Sequence, residues 1–430
     1  MSEHGDGDRT ADGVVTLADI EDARERIDDV INDTPLDTSR TLAERSGAAA
    51  VGLKLENMQR TGSFKIRGAY NTMAQLPESA RERGVVTSSA GNHAQGVAHA
   101  GEHLGIDTTI VVPEVTPAAK IDATRGYGAD VVVHGDIYER SYERALALAE
   151  EHGYAFVHPF DDGDVIAGQG TIGLELREEF GDIDTVLVSI GGGGLIAGIA
   201  TALTAHDDDI RVVGVQPEGA AHVPPSLEAG EIRELGGVDT VAEGIADTRL
   251  LERTWAVVSE RVDDVVTVSD AEITCALAVL AERVKTVAEA AGAAPVAALL
   301  GDDLDITGER VAAVVSGGNT DLTEHGELVR TGLMRLGRYA EARVAVADWP
   351  HGLDALTDVI ADAGAELDEV ARRRLTSADH PNRTPVAVSL AGSGPAHLRE
   401  TVAAVDATDG LAVVEHSIGA GGETGAGDGG

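Results

Sequence analysis

The feature that most constrains this chain is a rhythm running from about residue 16 to about 325, in which short β-branched runs alternate with longer stretches of helical periodicity. The clearest runs are 85–87, 109–112, 131–133, 185–190, 211–215 and 311–315, each short enough for a buried strand. Helical patterns such as 118–127 and 271–284 lie between them. Such alternation predicts an α/β architecture with largely parallel sheets. Thr16, with Asp19 three residues on, has the form of a capping box. Leu17, Ile20, Ala23, Ile27 and Ile31 then recur at helical spacing, so an amphipathic helix should open the fold.

At 430 residues the chain exceeds one ordinary core, and two or three folding units are expected. Beyond about residue 330 the texture changes: 342–346 reads as a strand, 353–363 as a helix, 366–372 and 386–391 as strands, 396–405 as a helix and 411–415 as a strand. The succession βαββαβ predicts a ferredoxin-like module over about 335–415. Residues 1–13 and the tail 419–430 carry too few apolar side chains to pack and are expected to be disordered.

The charge balance excludes several partners. With 74 acidic against 33 basic residues the formal charge is −41, which argues against nucleic acid and anionic membranes. Only four of the basic residues are lysines: Lys54, Lys65, Lys120 and Lys285. An acidic, lysine-poor surface with a 43% hydrophobic content fits a salt-rich cytoplasm, where self-repulsion is screened. The acidic start is not a secretory signal, and no run of 18 apolar residues could span a bilayer, so a soluble cytoplasmic protein is expected. One cysteine, Cys275, excludes an internal disulfide; it lies on the apolar side of a helical pattern and is assigned to the core. The 207–209 acidic run and scattered histidines, His222 and His325 among them, read as solvated surface.

Four segments can carry chemistry. Lys65 falls in the first turn of a helix beginning near Phe64, where the peptide dipoles disfavour an ammonium and favour the neutral amine a Schiff-base lysine needs. By position alone, an exposed helix-start lysine is the commoner situation. The run Gly191-Gly192-Gly193-Gly194-Leu195 follows a strand and opens a helix, so its N–H groups and the helix dipole make an anion cradle. Gly192, Gly194 and Ala197 also satisfy the dinucleotide pattern G-x-G-x-x-A, with Glu218 as a candidate ribose ligand, and a glycine turn for close helix packing is a third reading. Ser88-Ser89-Ala90-Gly91-Asn92-His93-Ala94-Gln95-Gly96 again joins a strand to a helix and could bind a carboxylate or ring hydroxyl, or simply cap the helix. Ser316-Gly317-Gly318-Asn319 ends the last strand of the α/β part, where open sheets place ligands.

Taken together, Ser63-Phe64-Lys65-Ile66-Arg67-Gly68-Ala69, Ser89 to Gly96, Gly191 to Leu195 and Ser316 to Asn319 resemble threonine ammonia-lyases (threonine dehydratases) of the tryptophan-synthase-β-like class, the pyridoxal-phosphate enzymes of fold type II. The resemblance covers about 15–330. It implies a two-domain catalytic unit over 14–330 with a smaller subdomain, about 55–155, inserted in the larger one. It also implies that Lys65 binds pyridoxal phosphate as a Schiff base, Phe64 lies against the ring, Asn92 meets the ring hydroxyl, Gly191, Gly192, Gly193, Gly194 and Leu195 hold the phosphate, and Ser316 faces the ring nitrogen. Ser89, Ala90, Gly91, Asn92 and His93 would receive the amino-acid substrate.

Those roles imply that the substrate displaces Lys65, that the freed amine removes the Cα proton, and that loss of the β-hydroxyl leads to a 2-oxo acid and ammonia. Threonine is the expected substrate, giving 2-oxobutanoate, with serine as the slower one and isoleucine metabolism as the setting; a serine-preferring dehydratase, a nicotinamide-dependent dehydrogenase and an amino-acid sensor are the alternatives. Similar racemases place a second acid–base serine where this chain has Ala90, which disfavours racemisation. Relatives with a metal near the glycine loop carry a carboxylate where Gln216 stands here, so the metal is left open, with Glu218 as a substitute. The C-terminal module resembles an ACT domain. Its D-x-P-G turn is lengthened to Asp348-Trp349-Pro350-His351-Gly352, and isoleucine or valine feedback and plain dimerisation stand as equal readings. A homo-oligomer, dimer or tetramer, is expected.

Overall fold

The computed structural model describes residues 10–205, 209–372 and 382–418. The chain divides into two compact units, Met1–Asp321 and Leu322–Gly430. The first unit holds two sheets. In the larger, the order is Leu36–Thr38, Ala50–Leu55, Arg310–Val315, Thr185–Ser189, Arg211–Pro217 and Asp264–Val268. All its pairings are parallel except that of the first edge strand. In the smaller, the parallel order is Asp130–Val133, Thr108–Val112, Val85–Ser88 and Ala155–Phe156.

The β-branched content of the central strands follows from helices covering both faces: Val186, Leu187, Val188, Val311 and Val314 have no exposed surface. The larger sheet packs with Ile172, Leu176, Ile196, Ile199 and Leu203 from helices Gly163–Phe180 and Gly194–Thr204. A separate core, with Ile66, Met73, Val97, Ile110 and Val157, serves the smaller sheet. Because Ala50–Leu55, Arg310–Val315 and Thr185–Ser189 are parallel neighbours, the loops that follow them leave the sheet on one edge.

The second unit begins with helix Leu322–Arg335 and continues as βαββαβ, with antiparallel order Glu366–Arg372, Thr384–Ala391, Tyr339–Val346, Leu411–His416. Helices Gly352–Asp362 and Pro395–Asp406 supply Leu356, Ile360, Leu398 and Val402 to its core. This is the ferredoxin-like order.

Several expectations need correction. The opening helix has its capping box between Thr16 and Asp19 but runs only Leu17–Ile27, so Ile31 reaches the small-sheet core from a turn. Residues 10–13, expected to be unpacked, form a 3₁₀ turn in which Ala11 is fully buried and donates its N–H to Glu260 Oε2 (3.1 Å). The predicted 271–284 helix is α-helical only over Asp270–Val279, then widens into a π turn, Leu280–Val284, that ends on Lys285 in the left-handed region. Cys275 is half-buried, not core. His222 and His325 are buried rather than solvated, the first with no exposed surface. The expected unit boundary near 330 falls inside a helix; the compact units divide at 321 instead. Residues 1–9, the tail 419–430, and Asp207 and Asp208 of the acidic run lie outside the described residues. No helix among the described residues is long and apolar enough to cross a membrane.

Candidate active site

Lys65 opens helix Lys65–Ala74, with Phe64 as its N-cap. Its Nζ donates to the Pro159 carbonyl (2.8 Å) and lies 5.1 Å from the Phe64 ring centroid. Burial lowers the amine to about 8, against the opposing pull of Asp247 and Glu289. A buried amine beside a carbonyl and two carboxyl groups therefore sits within reach of neutral pH in its free-base form.

That helix is held by buried charge. The Arg67 guanidinium donates to both Glu56 oxygens (2.8 and 2.8 Å), to Thr171 Oγ1 (3.0 Å) and to Glu175. Lys54 Nζ, equally buried, reaches Glu175 (2.8 Å), Glu179 (2.8 Å) and the Thr34 carbonyl (2.8 Å). Two of the four lysines thus act in or directly behind the site.

Gly193 is the N-cap of helix Gly194–Thr204, and no side chain caps that end. This helix start packs against Phe160, whose carbonyl oxygen lies 2.9 Å from where a Cβ on Gly194 would stand. A Cβ on Gly192 would stand 2.4 Å from the Phe160 ring, so glycine is required here by close packing as well as by any ligand. Asp161 fastens the 159–161 segment, its Oδ1 accepting the Thr254 N–H (2.8 Å). His158 Nδ1 accepts the Asp161 N–H (2.8 Å), and burial, Lys65 and Arg253 together hold the imidazole down at about 4. Asp247 faces Gly191 and takes the Gly192 N–H; burial raises its carboxyl, with Lys65 pulling the other way.

From the smaller sheet, Ser89, Ala90 and Gly91 lead into helix Asn92–Leu104, with Gly91 N–H bonded to Ser89 Oγ (3.2 Å). Asn92 Nδ2 donates to Glu289 Oε1 (2.7 Å), while Asn92 Oδ1 accepts from Asn319 Nδ2 (2.8 Å). Loop 316–319 is laced to the lysine loop through Phe64 N–H to the Ser316 carbonyl (3.2 Å) and Gly318 N–H to the Gly62 carbonyl (2.9 Å). Ser316 itself is buried. Through the 159–160 segment, Asp247 and Glu289, the structure thus links Phe64, Lys65, Asn92, the loop from Gly191 to Leu195 and Ser316 into one cluster.

His93 stands apart. Its ring is buried with Nε2 against the Val157 carbonyl (3.1 Å), and burial lowers it to about 3, so it offers the cluster no charged side chain. Gln216 is a packing residue, bonding the Ile190 carbonyl (3.3 Å) and the Val223 N–H (2.9 Å). Glu218, the candidate ribose or metal ligand, lies exposed in a turn beyond the strand. Among the described residues no group of three or more His, Cys, Asp or Glu could hold a metal ion. Asp247, Glu289, His158 and Phe160 are site residues that the motifs do not contain.

The family described as pyridoxal-phosphate dependent enzymes matches residues 27–317. The L-threonine ammonia-lyase of Thermotoga maritima is 44% identical over 361 residues, 84% of this chain and 90% of that protein. Among solved structures, the processed form of threonine deaminase isoform 2 from Solanum lycopersicum is similar with a TM-score of 0.70 and 39% identity, covering 73% of this chain and 92% of that one. Maize serine racemase is similar with a TM-score of 0.71 and 35% identity, covering 73% and 96%. With this match over residues 27–317 and these relatives, and with its lysine, glycine loop and Asn92 in one cluster, the chain belongs to the family of pyridoxal-phosphate dependent enzymes.

Proposed function

We infer that this protein is a threonine ammonia-lyase, converting L-threonine to 2-oxobutanoate and ammonia by loss of water across Cα–Cβ. The observation that carries the reading is the placement of Lys65, its amine lowered to about 8 by burial, between an uncapped helix start and the Asn92 amide. Relatives named for this activity support the substrate.

The residues fit pyridoxal phosphate. Its aldehyde needs a reachable, easily deprotonated amine, which Lys65 offers. Its phosphate needs N–H donors, and the start of the eleven-residue helix after Gly193 offers its own with no side chain capping them. When bound, the cofactor supplies an electron sink for the charge left on Cα. The Lys65 amine would be the base that takes the Cα proton. The Ser89 to Asn92 turn, at the start of a thirteen-residue helix, receives the substrate carboxylate. Phe64 would back the ring, and Ser316, a neutral hydroxyl, would face the ring nitrogen, an arrangement that favours elimination over transamination. Ala90 offers no hydroxyl to return a proton to the opposite face, which separates the site from a racemase.

Serine, lacking one methyl, is the slower substrate; the difference in such pockets is about 1–3 kcal/mol. The second unit is read as an ACT-like module, with feedback by isoleucine or valine and plain dimerisation as equal readings of its role. The test is to assay 2-oxobutanoate and pyruvate formation side by side in high salt, with and without isoleucine, alongside borohydride trapping of the cofactor on Lys65. Equal or pyruvate-dominated rates overturn the threonine assignment. Rates indifferent to isoleucine, and to valine added in its place, overturn the regulatory reading in favour of the dimerising one.

A further inference from the structure

Glu289 is not part of any motif, yet it is wired into the same cluster at both ends. It is the N-cap of helix Ala290–Leu300, and its backbone N–H donates to the Gly317 carbonyl (3.0 Å). Its Oε1 accepts from Asn92 Nδ2 (2.7 Å). The oxygen of the same amide is taken by Asn319 Nδ2 (2.8 Å), which also donates to the Thr61 carbonyl. Reversing the Asn92 amide would set donor against donor and oxygen against carboxyl, so its orientation is fixed from both sides. A Cβ on Gly317 would stand 2.2 Å from Glu289 Oε1 and 3.2 Å from Asn92 Nδ2. Glycine at that position keeps the contact open.

Asn92 Nδ2 has two hydrogens, and Glu289 occupies one. We propose that Glu289 is a positioning residue that aims the second hydrogen of Asn92 at the cofactor's ring hydroxyl and, through it, sets which tautomer of the lysine-bound cofactor prevails. This rests on Asn92 as the ring-hydroxyl contact. Ionised, Glu289 takes the first hydrogen in a charge-assisted bond that fixes the aim of the amide, and its negative charge disfavours further charge on the ring oxygen that the second hydrogen meets. Protonated, it relaxes that grip. Burial raises Glu289 to about 7, with Asn92, Lys120 and Lys65 lowering it and Glu243 raising it. These groups come from every element around it: Lys65 from Lys65–Ala74, Asn92 from Asn92–Leu104, Lys120 from Ala118–Gly126, and Glu243 from the turn Glu243–Ile245. The switch between the two states therefore falls in the neutral range.

The experiment follows the visible and near-ultraviolet bands of the reconstituted enzyme between pH 5.5 and 9, with no substrate present. In the unaltered protein the ratio of the long- to the short-wavelength Schiff-base band should titrate with a midpoint near neutrality. Glu289→Gln should hold one ratio throughout, with cofactor affinity changed by no more than about tenfold, the worth of a single hydrogen bond. Should the Gln variant not fold, Glu289→Asp, one methylene too short to reach Asn92, is expected to flatten the titration as well. A titration like that of the unaltered protein in whichever variant folds overturns the proposal. Asn92→Ala separates the two layers: if it displaces the bands while the Glu289 variants do not, only the role of Glu289 falls, and if it leaves them unchanged, the placing of Asn92 at the ring hydroxyl falls too.

Discussion

Arg67 and Glu56 meet fork to fork, Nε and Nη2 each 2.8 Å from a carboxyl oxygen, with neither side chain exposed to solvent. Arg67 stands two residues beyond Lys65 on the same helix, so this pair fixes the rotation of the helix that presents the reactive amine. Removing one member of a buried pair leaves the other uncompensated in a medium that solvates charge poorly. Arg67→Ala should therefore destabilise the fold by about 3–5 kcal/mol, read by urea denaturation. The loss should persist in molar salt, because buried pairs are screened little. A loss below 1 kcal/mol would show that water or neighbouring side chains absorb the charge.

The Lys65 amine, lowered to about 8, sets the pH dependence of cofactor capture. Only the neutral amine attacks an aldehyde, and its fraction grows as pH rises towards that value and saturates above it. Stopped-flow mixing of cofactor-free protein with pyridoxal phosphate should show an association rate rising about tenfold between pH 7 and pH 9 and then levelling. A profile still climbing steeply above pH 9 would mean that burial does not lower the amine.

Gly192→Ala should disturb the site through Phe160, whose ring lies 2.4 Å from where the new methyl would be. Overpacking of this kind costs about 1–3 kcal/mol and pushes the 159–161 segment, with its hold on Lys65, off its place. We expect a lower melting temperature and weaker cofactor retention, both recovered in part by Phe160→Leu in the same chain. Failure of that second substitution to recover stability would place the clash elsewhere.

Lys120 and Glu243 join helix Ala118–Gly126 to the turn Glu243–Ile245 by an exposed ion pair of 2.9 Å, close enough to act on Glu289. Exposed pairs contribute about 0–1 kcal/mol and weaken with salt. Lys120→Gln should raise KM for threonine at most about fivefold in dilute buffer and leave it unchanged in molar salt. A salt-independent effect would mean that Lys120 touches the substrate directly.

What the sequence could disclose about this site followed from locality. Lys65, Ser89 to Asn92, Gly191 to Leu195 and Ser316 each lie where a strand pattern stops and a helix or glycine turn begins, so a reader of periodicity meets them. Glu289, Asp247 and the 158–160 segment come from elements far apart in the chain, and one carboxylate among 74 acidic residues carries no local mark. Glu289 did leave a faint one, as the lone charge heading the all-apolar helix Ala290–Leu300. The burial of His222 was hidden for the same reason: a histidine before two prolines reads as a surface turn, and only the fold above it closes it off. The ferredoxin-like unit was plain in outline because short apolar, β-branched runs alternate with two stretches of helical period, Gly352–Asp362 and Pro395–Asp406. The helix before it was not, since 322–335 continues the texture of the preceding unit.

The four lysines have a chemical consequence beyond charge. Pyridoxal phosphate is an aldehyde and will condense with any accessible primary amine. Lys54 is sealed behind Glu175 and Glu179, the Lys120 amine is bound to Glu243, and that of Lys285 bonds the Glu282 carbonyl. Arginine, which makes up the rest of the basic residues, does not form such imines under ordinary conditions. A surface written in arginine and carboxylate thus leaves the cofactor's aldehyde few competing amines, Lys120 and Lys285 being the exposed ones among the four lysines, and each arginine exchanged for lysine would add a site of stray modification.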